Sequence, residues 1–490
     1  MKTLQLNNYL RHALLAGWVM ISLNGFAQNG GADFESGPLM NQARIQPVMA
    51  ALDDGRAIAF GGRGFGFISL QYADIYDPAT HLFTQYTMNG PRDFSSVVKM
   101  EDGKYFVIGG GMDLGVPAYS SCEIFDPADN SFTPAGSMNY ARMEPSATRL
   151  SDGNIFIAGG WYDDYAASAV EVYFPDGNSF SLMGNLAVPR AHAIVLPTDD
   201  GGAIICGGWG PYGTPMITTV EYFNAEMESM EPFADEMIPE DPGWVTWNQM
   251  RPNSDYLLSN GKYILLGYRN ITTPEYGLIS FDPSTKEFSL LTTIDLTVAN
   301  GGIFDMAIDR EHGLVYLLGV VSPSDPVQLS LITADIYNEI VYYPDFLYTA
   351  AAGDYFFPTL TFLPSTGKIL LTGISASPSD YFNATNKTLL LTPDINVGVE
   401  QELLVAGQVI CYPNPAVNDF SLSFTDLPAG SYKIQIIDMQ GSILYTAFKT
   451  AGAGGIAQWN FKEMNLPGGL YTIKIYGRSW EGTSRLVIAK

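Results

Sequence analysis

Apolar positions in this chain fall into short runs that stop at glycine, and polar residues alternate around them. The runs Ala57–Phe60, Tyr105–Ile108, Ile155–Ala158 and Ala203–Cys206 each lead into a glycine pair: Gly61-Gly62, Gly109-Gly110, Gly159-Gly160 and Gly207-Gly208. Apolar runs this short, bounded by glycine, predict strands. A turn dipeptide precedes most of them: Asp54-Gly55, Asp102-Gly103, Asp152-Gly153 and, later, Asn260-Gly261. Such dipeptides favour the left-handed geometry of hairpin turns. A second strand follows each glycine and usually ends before proline, as in Ala73–Asp77, Cys122–Asp126, Val170–Phe174 and Ile279–Asp282. Strands led by arginine, and outer strands that start at phenylalanine, complete a unit of four antiparallel strands.

The unit repeats. Gly61, Gly109, Gly159, Gly207, Gly267, Gly319 and Gly373 are spaced by 48, 50, 48, 60, 52 and 54 residues. The outer-strand pattern of Phe132–Arg142 also occurs ahead of the first unit, as Phe34–Arg44, while the last unit ends at Thr388–Pro393 with no outer strand after it. Phe34–Met40 is therefore expected to complete the last unit, which makes seven. A period near fifty with a double glycine resembles the kelch family of β-propellers. The resemblance covers residues 32–395; in units five to seven the second glycine is replaced, giving Gly267-Tyr268, Gly319-Val320 and Gly373-Ile374. It implies an all-β protein whose main body is a seven-bladed propeller without a long free edge. The Asp-Gly and Asp-Pro turns would lie on one face. The loops after the glycines, and those entering the arginine strands, would lie on the other, the usual binding face of kelch proteins.

The chain ends differ from this body. Lys2 and Arg11 precede the apolar run Ala13–Ile21, and Gly25 and Ala27 place small residues before Gln28, as in a cleaved signal peptide over 1–27. The run is too short to span a bilayer, and no membrane span is expected in the mature chain. From Gln408 onward, seven bases face five acids, and strands of strict alternation follow: Phe420–Phe424, Tyr432–Ile436 and Tyr471–Ile475. This shift sets a boundary, with the propeller over 28–397, a linker over 398–407 and a small immunoglobulin-like β-sandwich over 408–490. Tyr412-Pro413-Asn414-Pro415 opens the last segment; Gly430 and Tyr432 lead to Asp438 and Gly441, then Gly469 and Tyr471 precede a final strand ending at Lys490. In this order the motifs resemble the type A C-terminal sorting domain of the type IX secretion system of Bacteroidota. That resemblance implies export through the periplasm to the cell surface or medium, with the secretion machinery as partner.

Charge then narrows the function. The chain has 490 residues and a formal charge of −26. The signal and the last segment are each net positive by two, so residues 28–407 carry −30. Nucleic acid is excluded as a partner, because phosphate neutralisation needs Lys and Arg. Against this background five arginines stand near the starts of first strands: Arg44, Arg92, Arg142, Arg190 and, one residue out of register, Arg251. Either they recognise carboxylate or sulfate groups around a channel, or they bind carbonyls and acids between blades. The loops of the binding face carry Phe65, Phe67, Trp161, Tyr162, Tyr165, Trp209, Tyr212, Tyr268, Tyr381 and Phe382. Aromatic rings at a wet rim suit stacking on sugars or peptide side chains, or they fill inter-blade surfaces.

Catalytic signals are sparse. Galactose oxidase, a seven-bladed kelch enzyme, holds copper with two His and two Tyr. Here His81 and His312 fall in turns on the face opposite the binding loops and only His192 approaches the channel, so that chemistry is not expected. Cys122 and Cys206 read as core residues. No catalytic residue, metal site or cofactor is expected, except for loose calcium binding by the seven acids between Glu226 and Asp241, a stretch read mainly as a solvated insertion. The expected protein is a monomeric exported propeller that binds a glycan or protein. The alternative is a carbohydrate-active lyase, hydrolase or epimerase on the same scaffold.

Overall fold

The computed structural model describes residues 33–393 and 409–489. Within the first range it omits 112–117, 163–164, 211–215, 247–252, 270–274, 295–301, 323–327, 338–339, 343–347, 350–354 and 376–383. Within the second it omits 415, 418, 428–429, 439–442, 452–454, 463, 465 and 477–480. The expected signal segment and linker fall outside the described residues. The chain divides into two compact units, Met1–Asp394 and Ile395–Lys490.

The described residues of the first unit are strands, turns and two short 3-10 segments. They form seven antiparallel sheets of at least four strands, taken in chain order, with one extra two-stranded ribbon. The first sheet runs Val48–Ala51, Ala57–Phe60, Tyr72–Asp77, Leu82–Thr87. The second, third and fourth sheets repeat this order from Ser96–Lys99, Ser146–Arg149 and Ile194–Pro197. The fifth begins with the two-residue strand Val245–Thr246, the sixth with Gly302–Asp309 and the seventh with Tyr355–Leu363. The outer strand of the seventh comes from the start of the chain: Asp33–Ser36 pairs antiparallel with Leu389–Thr392. Beyond Ser36 the contact continues as coil, through Gly37 N–H to Thr388 O and Met40 N–H to Asn386 O.

Second strands explain how the sheets stack. Ala57–Phe60, Tyr105–Ile108, Ile155–Ala158 and Ala203–Cys206 are buried at every position. A strand buried on both faces must have a layer on each side. The neighbours are the adjacent sheets. One cluster joins Ile58, Phe60 and Ile75 of the first sheet to Val97, Val107 and Phe125 of the second. Others join second to third and third to fourth, with Phe106 stacked on Tyr173 at 4.2 Å between centroids. Leu363, Leu370 and Leu390 of the seventh sheet pack on Met49, Ala57 and Tyr76 of the first.

The glycine pairs set the length of these strands. In sheets one to four both glycines have positive φ, for example 62° and 102° at Gly159 and Gly160. This left-handed conformation ends the strand at the position before the pair. Where the second glycine is lost the strand runs on: Tyr263–Arg269, Leu314–Ser322 and Lys368–Ser375 all pass through their single glycine.

The second unit has a three-stranded sheet (Val409–Tyr412, Phe420–Leu427, Gly455–Phe461) and a four-stranded sheet (Ile443–Ala451, Gly430–Ile437, Gly469–Tyr476, Glu481–Ile488). Leu422 and Trp459 from one, and Ile434, Ile436, Ile473 and Leu486 from the other, share one core. Among the described residues of the chain, no helix is long and apolar enough to cross a membrane.

Candidate functional site

Four of the five arginines occupy one repeated position inside the protein. Arg44, Arg92, Arg142 and Arg190 are all buried. Each pairs with an acid on the third strand of its own sheet: Asp74, Glu123, Glu171 and Glu221 respectively. Each also donates to the carbonyl of the first repeat glycine, at 2.8 Å for Gly61, 2.7 Å for Gly109, 3.1 Å for Gly159 and 3.3 Å for Gly207. The acids reach further, to the outer-strand exit of the preceding sheet. Glu123 accepts from Asn89 N–H at 2.8 Å, Glu171 from Asn139 N–H at 2.7 Å, and Glu221 from Ala187 N–H at 2.6 Å. Burial pushes the guanidiniums of Arg44, Arg142 and Arg190 below the ordinary arginine value, against the pull of their acids. These bonds use the carbonyls and acids of one of the two alternatives for the arginines, and they leave the four side chains enclosed. Sequence reading named the arginines but missed the acids. Their signal is an acid at the second position of each of the runs Ala73–Asp77, Cys122–Asp126, Val170–Phe174 and Val220–Asn224.

Arg251 does not take the fifth position. Gly208 N–H donates to Thr246 O at 2.8 Å, as Gly62, Gly110 and Gly160 donate to Arg92 O, Arg142 O and Arg190 O. The backbone register therefore puts Thr246 where Arg251 was expected, and Arg251 itself lies outside the described residues. The place of the paired acid is taken by Ile279, opposite Leu265. Both partners of the ion pair are thus replaced together.

Two residues beyond each arginine lies a non-glycine residue with positive φ: Gln46 (51°), Phe94 (54°), Glu144 (50°) and His192 (54°). Such conformations cost energy in non-glycine residues and often mark functional sites. Here they carry a polar chain across four sheets, on the side of the loops that follow the glycines. Arg63 pairs with Asp93, both nearly buried, and its guanidinium covers the Phe94 ring at 4.1 Å. Glu144 N–H donates to Phe94 O at 2.7 Å. The Glu144 carboxylate contacts His192 Nε2, with 11% and 23% of the side chains exposed. Gln46 Oε1 is buried with no hydrogen-bond partner among the described residues. His192 was singled out from the sequence; Glu144, Arg63 and Asp93 were not.

Aromatic residues border this chain. Trp161 bridges Met143 and Trp209 bridges Ala191, which sets both half-buried indoles next to the Glu144–His192 pair in the backbone. Trp161–Tyr162 and Tyr165–Ala166 form the two-stranded ribbon, with Tyr162 opposite Tyr165. Tyr162 is 50% exposed, Tyr165 73% and Phe65 66%. Phe67 belongs to the 3-10 turn Phe65–Phe67. Tyr268, expected in a loop, lies instead on the strand Tyr263–Arg269, half-buried with its ring 6.2 Å from Tyr276, and burial pushes its hydroxyl up to about 12. Tyr212, Tyr381 and Phe382 lie outside the described residues.

Other candidates are dispersed. His81 lies in the turn after Tyr72–Asp77, 3.4 Å from Tyr76 Oη, and His312 in the turn after Gly302–Asp309, 2.7 Å from Asp309. His81, His192 and His312 thus belong to the first, fourth and sixth sheets, and the first and last lie in turns at the end of the sheets away from the post-glycine loops, so the histidines do not fit a shared copper site. Among the described residues no three His, Cys, Asp or Glu side chains gather to hold a metal ion. The stretch Glu226–Asp241 is less an insertion than expected, because Ser229–Ala234 is the fourth strand of its sheet. Cys122, Cys206 and Cys411 are buried thiols; burial pushes the first two up to about 12 and the third to about 11.

In the second unit the motif residues hold the last strand. Asn414 Nδ2 donates to Arg485 O at 2.7 Å, and Asn414 Oδ1 accepts Val487 N–H at 2.8 Å. Ala416 then pairs with the same strand at 2.8 Å on both sides. Tyr412 ends the strand Val409–Tyr412 exposed, ahead of Pro413. Tyr432 is buried against Trp459 at 5.7 Å, and Tyr471 Oη donates to Pro467 O at 2.7 Å. Gly430 and Gly469 open strands, and Asp438 follows the first of them. Pro415, Gly441 and Lys490 lie outside the described residues.

A comparison with curated proteins returns no match. Among solved structures, the chain is similar to a fungal alcohol oxidase of the AA5 family, in complex with copper, at 14% identity and a TM-score of 0.52. The match covers 94% of this chain and all of the oxidase chain, and it speaks to the fold. Residues 410–489 match the family model described as the secretion system C-terminal sorting domain. With that domain at its C-terminal end, the protein is secreted or attached at the cell surface by way of type IX secretion.

Proposed function

We propose that the first unit is a seven-bladed kelch-like propeller and that it binds carbohydrate on the face formed by the post-glycine loops. Several contacts support circular closure. Arg92, Arg142 and Arg190 each donate their N–H to the preceding sheet, at Leu70 O, Tyr119 O and Ala167 O, and Arg44 N–H donates likewise to Thr385 O of the seventh sheet. The first-to-seventh junction thus repeats the bond used at the first three junctions along the chain.

The binding reading rests on one observation, the aromatic ribbon. Tyr162 and Tyr165 sit side by side, largely exposed, beside Trp161 and a partly buried charged chain. Exposed aromatic faces next to fixed hydrogen-bonding groups suit sugar rings, whose C–H faces stack while their hydroxyls bond. Screening the mature protein on a glycan array, followed by calorimetry on the hits, tests this. Tyr162→Ala with Tyr165→Ala should weaken a hit at least tenfold, a loss of about 1.4 kcal/mol. Unchanged affinity in that variant would sink the proposal.

The Glu144–His192 pair favours a second reading, an enzyme acting on the bound sugar. A half-buried imidazole held by a carboxylate is the arrangement a general acid or base requires. If product analysis finds turnover of an array hit, His192→Ala should abolish it while leaving binding in place.

A further inference from the structure

The opposite face of the first unit holds a cavity of about 680 Å³. It is built where first strands end and the turns to second strands begin, and residues from sheets one to six line it. Lys99 in its wall is spent on Asp53. Arg149, at the end of Ser146–Arg149, is exposed, and its side chain holds no hydrogen bond or ion pair among the described residues. Among the described residues Arg310 uses only Nε, on Leu257 O at 3.0 Å, and its guanidinium lines the same space. Tyr263 lines the same space; its side chain is buried, and the charges of Arg310, Arg149 and Asp199 act on its hydroxyl. Glu101 and Asp199 complete the lining as exposed carboxylates.

Two unspent guanidiniums in a segment of strongly negative charge have a defined use if a ligand supplies the missing anion. The two carboxylates oppose a polyanion and accept hydrogen bonds from donors on the same ligand. We propose that this cavity binds a small carboxylate ligand that also carries hydroxyl or ammonium donors. Arg149 and Arg310 grip the carboxylate, the Tyr263 hydroxyl donates to it, and Glu101 and Asp199 accept from the donors. The site is separate from the aromatic ribbon and does not depend on what that ribbon binds.

Calorimetry on the mature full chain with four probes tests it: D-glucuronate, the dipeptide Ala-Ala, D-glucose and propionate. Glucuronate or Ala-Ala should bind, and which of them binds tells whether hydroxyls or an ammonium group are read by the acids. Glucose should not bind, and propionate should bind at least tenfold more weakly. Arg149→Gln should weaken the best probe at least tenfold without moving the thermal midpoint, since that side chain holds nothing in the fold. Tyr162→Ala with Tyr165→Ala should leave the affinity unchanged. Absence of binding by both glucuronate and Ala-Ala, equal binding of glucose, or full affinity in Arg149→Gln would each overturn the proposal.

Discussion

Arg142 and Glu171 illustrate how much rides on one buried pair. Removing only the guanidinium strands a carboxylate inside the protein, a change that costs about 3–5 kcal/mol. Arg142→Ala should therefore lower the urea midpoint steeply. Replacing both, as Arg142→Met with Glu171→Leu, should recover at least half of that loss, because apolar side chains fill the space without charge. The fifth sheet already carries such an exchange, with Thr246 and Ile279 in the two places. Loss of the Asn139 N–H acceptor limits the recovery. The arginines were legible in the sequence because bases are scarce there. Their partners were not, because acids are abundant and only strand register singles out Asp74, Glu123, Glu171 and Glu221. Glu144 escaped notice for a similar reason: its left-handed backbone is a property of the repeat, not of glutamate.

Strands and turns are the scale at which glycine matters. A Cβ on Gly159 would lie 2.1 Å from Arg190 O, while one on Gly103 meets nothing within 4 Å, though both have positive φ. Gly103→Ala should cost only the left-handed penalty of about 1–2 kcal/mol. Gly159→Ala must also push two sheets apart, and its cost should exceed that of Gly103→Ala by at least 2 kcal/mol in denaturant titrations. Turns also cross-link neighbours. Lys286 in a turn of the fifth sheet pairs with Asp200 in a turn of the fourth and lies 4.0 Å from the Tyr222 ring centroid. Burial raises the Asp200 carboxyl, but bonds from Lys286, Thr198 and Tyr222 outweigh it and hold the group well below its ordinary value. A carboxyl depressed in the folded state stabilises fully above its unfolded value of about 3.9, and that contribution fades as pH falls below it. The thermal midpoint should drop on acidification below about pH 4, less so in Lys286→Met. Double-glycine strands were legible from the sequence alone. The ribbon of Trp161–Tyr162 and Tyr165–Ala166 was not, because the residues between its strands, Asp163-Asp164, lack a hairpin signature.

For the molecule as a whole, the repeat spacing announced an all-β body and the shift in charge announced a separate tail. Removing residues 408–490 should leave the protein in the periplasm, detectable by fractionation; surface delivery of that truncation would refute the sorting role. Deleting residues 33–40 should expose the edge of Leu389–Thr392 and produce concentration-dependent aggregation, visible by light scattering.

The pairing of Asp33–Ser36 with Leu389–Thr392 also sets a clock. Its partners are far apart in the chain: Thr388 Oγ1 and Pro38 O, bonded at 2.7 Å, are 350 positions apart. Contacts between such distant segments form late, after nearly all the intervening chain has emerged. A body whose seventh sheet needs both ends of the segment stays incomplete until nearly all of that segment is available.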